Sequence, residues 1–393
     1  METGNLRLSD RVIDLAIHIQ QIPAPTFQEG KRAELVRGLF EREELQDVSI
    51  DEVGNIYGRL SINNQPSSKV NHPLFDQKPL VVSAHLDTVF PSETDLAFRR
   101  EGDKLYGPGI GDNSLGVAAL FGILWSMRGN QNFPSPPAPL LKGEGSADIW
   151  LVANVGEEGL GDLRGMKAMV DRFGADVRAY LIIEGMALGK VYHRSIGVKR
   201  YRITAKTTGG HSWSDYGRPS AIHELSKLVV ELTSMNLPES PRTTMNVGKI
   251  SGGTSVNVIA SEASLELDLR SEGQESLAEL VSRVEVLVEQ ASQPEVKFEA
   301  EIVGARPAGE IDANHPLIKL AEECLHEQRL DAELTSGSTD ANIPLSRGYP
   351  ALVLGVTTGG GAHTVNEFIG LELIEKGMDQ LVRFVWKMVS SNW

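Results

Sequence analysis

The stretch Leu80-Val81-Val82-Ser83-Ala84-His85-Leu86-Asp87 places a histidine directly after a short apolar run. The arrangement recurs along the chain: Glu157 and Glu158 follow the run 149–153, Glu184 follows 179–183, and His363 comes shortly after 351–355. Short apolar runs separated by helical patterns predict strands that are buried on both faces of a parallel sheet. Because ligands bind outside the carboxyl ends of such strands, we expect these side chains to meet there. With Asp112 arriving from a glycine-rich turn, the sequence predicts a metal site.

Composition limits the class of protein. A chain of 393 residues can form two domains, and its 41% hydrophobic and 23% charged residues are ordinary for a globular protein. A formal net charge of −15 argues against nucleic acid or an anionic membrane as a partner. Cys324 is the single cysteine, so no intrachain disulfide or thiolate metal cluster can form. We interpret it as a buried, unreactive thiol.

The sequence also bears on location. The segment Met1–Asn5 is not a basic region followed by an apolar core, so we expect no signal peptide. The longest apolar stretch, Leu115–Trp125, is too short to span a bilayer. We therefore expect a cytoplasmic protein.

The pattern of elements changes near Arg194. Alternating strands and two helical stretches follow in the order β-α-β-β-α-β, which is typical of a ferredoxin-like domain. The α/β pattern resumes near Pro307. We predict that residues 194–305 are inserted in a domain formed by residues 1–193 and 306–393. Two polar, proline-containing stretches, 62–79 and 128–147, are predicted to be a loop and an insertion.

Each motif has a simpler interpretation when taken alone. The sequence His85-Leu86-Asp87 occurs often by chance, although a carboxylate can orient a metal-bound imidazole. Asp112 could simply cap the helix that follows it. The pair Glu157-Glu158 could lie in a solvated acidic loop, but adjacent carboxylates repel and favour a cation between them.

The combination is more specific than its parts. It resembles the signature of the dizinc aminopeptidases, carboxypeptidases and deacylases, which include peptidase T, glutamate carboxypeptidase, aminoacylase and succinyl-diaminopimelate desuccinylase. The resemblance extends from residues 23–29 to residues 361–367. It implies a zinc-peptidase-like α/β catalytic domain with a mostly parallel central sheet, and an inserted ferredoxin-like domain that acts as lid and dimerisation domain. It also implies a homodimer.

The resemblance assigns a role to each residue of the signature. Asp112 would bridge two metal ions, with His85 and Glu184 completing one site and Glu158 and His363 the other. The ions would be zinc, although cobalt or manganese could occupy such a set of ligands. Asp87 would orient His85, and Glu157 would be the general base for a metal-bridging water. A cis peptide bond between Asp112 and Asn113 is also implied.

Four further residues resemble substrate-contacting positions of the family. His211, in Gly209-Gly210-His211, would reach the partner's active site and stabilise the oxyanion. Asn257 and Arg270 would grip the substrate carbonyl and carboxylate, and Thr339 would line the pocket. From the residues alone, His211 is better interpreted as a loop histidine, and Arg270 could equally be a surface strand residue.

The predicted activity is hydrolysis of an amide bond in small peptides, as in a di- or tripeptidase similar to peptidase T. An N-acyl amino acid deacylase is the alternative within the enzyme class. A non-catalytic descendant that binds peptide or metal is the alternative outside it, and the presence of Glu157 argues against that. Two departures, Asn113-Ser114 after the bridging residue and Glu184 where some members have Asp, weaken assignment to a named branch.

Overall fold

The computed structural model describes residues 7–61, 78–129 and 148–390. The chain forms two compact units: unit 1 comprises residues 1–193 and 310–393, and unit 2 comprises residues 194–309. The predicted insertion, residues 194–305, ends four residues before unit 2 does. The last strand of unit 2 continues to Arg306. The predicted loop 62–79 and insertion 128–147 lie almost entirely outside the described residues.

Helices and strands are distributed over both units and are numbered in chain order. The helices are α1 (Leu8–Gln20), α2 (Gly30–Arg42), α3 (Leu115–Met127), α4 (Arg164–Phe173), α5 (Ala221–Thr233), α6 (Gln274–Ala291), α7 (Pro316–Glu327), α8 (Asn342–Ser346) and α9 (Ile374–Ser390). The strands are β1 (Gln46–Ile50), β2 (Ile56–Leu60), β3 (Leu80–His85), β4 (Arg99–Glu101), β5 (Lys104–Tyr106), β6 (Ile149–Asn154), β7 (Ala179–Glu184), β8 (Lys190–Ser195), β9 (Gly197–Lys206), β10 (Gly210–His211), β11 (Thr243–Gly252), β12 (Val258–Ile259), β13 (Glu262–Ser271), β14 (Lys297–Arg306), β15 (Gly309–Glu310), β16 (Glu333–Gly337), β17 (Ala351–Gly355), β18 (Gly359–Gly360) and β19 (Phe368–Gly370).

The main sheet of unit 1 has the strand order β1-β2-β6-β3-β7-β17-β8-β15, with β16 also pairing with β8. Its four central strands, β6, β3, β7 and β17, run parallel. The flanking strands β2 and β8 run antiparallel to their neighbours. The sheet is therefore mixed but largely parallel, as predicted, and the carboxyl ends of the four central strands lie along one edge.

Helix α3 lies at the centre of the unit 1 core. All its residues from Leu115 to Leu124 are buried, and it packs against α1, α9 and strand β3. The segment Ile110–Met127 is long and apolar enough to cross a membrane, but 78% of it is buried inside the protein. That burial is typical of a core helix in a globular fold.

A small second sheet in unit 1, ordered β18-β19-β5-β4, connects two loops that matter for the site. Strand β5 leads directly into the glycine-rich turn 107–114. Strands β18 and β19 flank the loop 361–367, which carries His363. Strand β19 pairs antiparallel with both β18 and β5, and these pairings hold the two loops side by side.

Unit 2 contains a four-stranded antiparallel sheet ordered β11-β13-β9-β14, with α5 and α6 packed on β9 and β13. This is the predicted ferredoxin-like order. The stretch 255–270, which would be the third strand of that order, is divided in two. Its first part forms β12, which pairs with β10 outside the main sheet, and only β13 joins β9 and β11.

Candidate metal centre

Two histidines approach opposite oxygens of one aspartate. His85 is the last residue of β3, and its Nε2 lies 3.0 Å from Asp112 Oδ1 and 3.8 Å from Glu184 Oε2. His363 Nε2 lies 3.1 Å from Asp112 Oδ2 and 3.2 Å from Glu158 Oε1. Asp112 is thus placed between two sets of donor atoms, which is the arrangement expected of a bridging carboxylate.

The donor atoms form three overlapping groups, each with its members within 4.8 Å of one another. The groups are His85 with Asp112 and Glu184, Asp112 with Glu158 and His363, and His85 with Glu157 and Glu158. All five predicted metal ligands and the predicted base are therefore brought together within unit 1.

Asp87, in the segment after β3, forms hydrogen bonds that join this segment to the one after β6. Its carboxylate oxygens each accept a backbone N–H at 3.0 Å, one from Glu157 and one from Glu158, and Thr26 Oγ1 donates to it at 2.9 Å. The ring Nδ1 of His85 lies 3.0 Å from the Asp87 backbone carbonyl and 3.6 Å from its carboxylate. Asp87 therefore faces the imidazole with both its main chain and its carboxylate, and the same carboxylate holds the paired glutamates.

Asn113 fastens the turn that carries Asp112 to the end of β7. This fully buried side chain donates from Nδ2 to the Ile183 carbonyl at 2.8 Å. Its Oδ1 accepts the backbone N–H groups of Gly185 at 3.0 Å and Gly116 at 3.1 Å. Glycine is required at both positions: a Cβ at Gly185 would lie 2.2 Å from a backbone oxygen of the turn, and one at Gly116 would lie 2.0 Å from Asn113 Oδ1. The peptide bond between Asp112 and Asn113 is cis.

Glu367 fastens the same turn to the loop of His363. Its buried carboxylate accepts three backbone N–H groups, from Gly111 at 2.7 Å, Asp112 at 2.9 Å and Gly109 at 3.1 Å. Its backbone carbonyl accepts from Gly107 N at 3.0 Å. The short turn is therefore held along its whole length by one residue.

Burial and the neighbouring charges shift the pKa values of the groups in the cluster. Burial alone would raise the pKa of Asp112, but hydrogen bonds with His363 and His85 hold it well below its usual range. Burial raises the pKa of Glu184 well above its usual range. Hydrogen bonds with Asp112 and Glu158 raise the pKa of His363 to about 10.

These properties fit divalent cations. The donors are two imidazoles and several carboxylates without sulfur, a set that zinc, cobalt and manganese accept. The buried Oε1 atom of Glu158 faces His363 Nε2 at 3.2 Å, so the two atoms are placed to share a cation. The carboxylates that raise the pKa of His363, and that of His85 against the effect of burial, also attract a metal ion, which competes with the protons on these histidines.

The remaining predicted residues lie elsewhere. His211 and Asn257 are exposed in unit 2, where Ser212 N donates to the Asn257 carbonyl at 3.1 Å and so joins their loops. Arg270, also in unit 2, donates from Nε and Nη2 to Asp268. Thr339 lies in unit 1, where its Oγ1 accepts from Ala341 N at the start of α8. Both the Arg270 guanidinium and the Thr339 hydroxyl thus already have protein partners.

Sequence reasoning missed the roles of Asn113 and Glu367. The sequence marks Asn113 only as a departure from the family pattern, and Glu367 only as part of a matching segment. A signal was available for Glu367, because a carboxylate four residues after a predicted ligand, in the same loop, is well placed to support the site. Asn113 could not be identified because two of its three partners, Ile183 and Gly185, lie at the end of β7, about 70 residues away.

Comparison with known proteins agrees with this geometry. The sequence pattern of peptidase family M20/M25/M40 matches residues 81–387. A peptidase M20 domain-containing protein of Schizosaccharomyces pombe is 25% identical over 97% of this chain and 85% of its own length. Among solved structures, a tripeptidase from Staphylococcus aureus superposes with a TM-score of 0.76 at 22% identity, covering 97% of this chain and 98% of that one. Aminopeptidase PepT from Bacillus cereus superposes with a TM-score of 0.73 at 19% identity, with the same coverage. The fold class and the family resemblance are confirmed, and this chain belongs to the hydrolases of peptidase family M20/M25/M40.

Proposed function

We propose that this protein hydrolyses an amide bond in small peptides, as a di- or tripeptidase similar to peptidase T. The observation that carries the proposal is the position of Asp112 between His85 and His363, with one carboxylate oxygen about 3 Å from each imidazole. A purely structural cluster has no need to divide one buried carboxylate between two histidines and to surround it with further acids.

The proposed ligands form two sites that share Asp112. His85 and Glu184 complete one site, and Glu158 and His363 complete the other. Two bound divalent ions, which we propose are zinc, would supply the Lewis acidity that polarises the scissile carbonyl and lowers the pKa of a water molecule.

Glu157 is the proposed general base. It is 7% exposed, and its backbone N–H is held by Asp87, as is that of the neighbouring Glu158. Adjacent residues in a turn can point in different directions, so one carboxylate can serve as a ligand while the other takes the proton from the attacking water. Glu157 then returns that proton to the leaving amine.

Unit 2 is the proposed lid and dimerisation domain, and His211 is its proposed oxyanion donor. The Nδ1 atom of His211 accepts backbone N–H groups from Trp213 at 3.2 Å and Ser214 at 3.4 Å. These bonds favour the neutral tautomer with its proton on Nε2, where it can be donated to a substrate oxygen. Asn257 and Arg270 are proposed substrate contacts, which for Arg270 requires the substrate carboxylate to compete with Asp268.

The test combines metal analysis with a substrate panel. The purified protein should contain two divalent ions per chain and should lose activity on treatment with a chelator. The panel contains di- and tripeptides, the same peptides blocked at either end, and N-acetyl and N-succinyl amino acids.

Hydrolysis of free di- or tripeptides well above the acylated amino acids supports the proposal. The reverse preference would make the protein an N-acyl amino acid deacylase. Two bound ions with no turnover of any substrate in the panel would instead indicate a non-catalytic binding protein.

A further inference from the structure

Glu367 is a buried acid whose carboxylate contacts only the main chain in its described hydrogen bonds. It is 0% exposed, and all three of its accepted bonds come from the turn 109–112. One oxygen, Oε1, accepts from Gly111 and Asp112, and the other, Oε2, accepts from Gly109. Such a side chain can act on the site only by fixing the backbone that presents Asp112.

The three N–H groups that point at residue 367 favour a carboxylate over an amide at that position. Each N–H group needs an acceptor, and an ionised carboxylate offers only acceptors on both oxygens. An amide of the same shape would turn its NH₂ group toward the N–H of Gly109, which places two donors against each other in a buried position. Gly109 itself has φ of 72°, a left-handed conformation that glycine adopts without strain, and this allows the turn to fold around the carboxylate.

The same residue also fixes the loop of His363. Glu367 follows His363 by four residues, and its carbonyl accepts from Gly107 N at the start of the turn. Strand β19, which follows at once, pairs with β5, which precedes the turn. The position of His363 relative to Asp112 thus depends on this residue.

The other half of the cluster has a different support. Asn113 bonds to the main chain on both sides of Glu184, at Ile183 and Gly185. Two residues therefore position the turn that carries Asp112. Glu367 joins it to the loop of His363, and Asn113 joins it to the end of β7 beside Glu184.

We infer that Glu367 is a positioning residue that sets the geometry of one of the two proposed metal sites, the one formed by Asp112, Glu158 and His363. This rests on the proposed function, because it takes those residues as metal ligands. Removing the Glu367 carboxylate weakens metal binding at that site by about 10–100-fold, the range for partners that orient metal ligands. The site of His85 and Glu184 keeps its affinity to within about threefold.

The experiment measures metal binding directly. The full-length protein is stripped with a chelator and titrated with Zn²⁺ in a calorimeter, and with Co²⁺ while visible absorption is recorded. The variants are Glu367→Gln, which keeps the shape, and Glu367→Asp, which keeps the charge but is one methylene shorter. The control is Glu43→Gln, the same substitution at a unit 1 carboxylate that accepts from the Trp125 indole at 2.8 Å. His363→Ala identifies the Co²⁺ absorption band of the affected site.

The expected result is that both Glu367 variants lose affinity for one ion only, with loss of the same Co²⁺ band that is lost in His363→Ala. Circular dichroism and the unfolding midpoint of the stripped proteins report on folding, and Glu367→Asp provides the measurement if Glu367→Gln does not fold. Equal weakening of both ions, or wild-type affinity for both, would overturn the inference. A wild-type protein that binds fewer than two ions would overturn the proposed function itself.

Discussion

Asn113 offers the most direct test of how the centre is built. The substitution Asn113→Ala removes a side chain that satisfies three backbone groups, the carbonyl of Ile183 and the N–H groups of Gly116 and Gly185. All three lie in the interior, where a buried polar group without a partner costs about 1–3 kcal/mol. Taking the lower value for each, we expect unit 1 to lose about 3 kcal/mol of stability.

The loss can be measured by chemical unfolding of the chelator-stripped protein. With a slope of about 5 kcal/mol/M in guanidinium chloride, the midpoint should fall by about 0.6 M. A Trp213→Phe background allows unit 1 to be followed by fluorescence, because the other four tryptophans belong to that unit. Asn314→Ala, at an exposed position of the same unit, is the control and should change stability by less than about 0.5 kcal/mol.

Metal affinity provides the second measurement on the same variant. Because Asn113 bonds on both sides of Glu184, its removal should weaken the ion held by His85 and Glu184 more than the other ion. A midpoint shift below about 0.2 M, which at that slope is about 1 kcal/mol, together with unchanged binding of both ions, would refute the proposed role of Asn113 in the turn.

The other predictions concern chemistry, backbone packing and assembly. Glu157→Gln should keep the fold and both ions but lose at least about two decades of kcat, the usual scale for a general base; near-normal turnover would place the base elsewhere. Gly185→Ala, whose Cβ would lie 2.2 Å from the Gly111 carbonyl oxygen, should lose metal affinity and stability, whereas Gly30→Ala has open space and should be neutral in both assays. If the active site is completed across a dimer, mixing inactive His211→Ala with inactive Glu157→Gln should recover activity as subunits exchange; a stable mixed dimer without activity would contradict it.

The parallel core and the ligands on it could be predicted from sequence because their signal is local. An apolar run such as 80–84 is buried on both faces of the sheet, and the residue after it must emerge at the carboxyl edge. The same reasoning places Glu158 and Glu184. Asp112 and His363 lie on loops, where their placement in a glycine-rich turn and shortly after an apolar run marked them as candidates and the family resemblance assigned their roles.

The supporting contacts could not be predicted in this way. Glu367 bonds to a turn that precedes it by more than 250 residues, and the one local signal for it is its place four residues after His363. The sequence predicts that Asp87 orients His85, but it gives no sign that the same carboxylate accepts the N–H groups of two glutamates in the loop after β6. Such contacts follow from strand order, which single-sequence patterns do not specify.

The insertion of unit 2 between β8 and β15 also fixes an order of events during synthesis. The proposed ligands His85, Asp112 and Glu184 all precede residue 194, so one proposed metal site can be complete before unit 2 has been made. The other needs His363, and the central strand β17, which pairs with β7, comes equally late. A nascent chain could thus bind a first ion early, but it can hold the second only after the whole inserted unit has emerged from the ribosome. Premature termination anywhere in unit 2 therefore yields a chain with at most one of the two sites and an unfinished sheet.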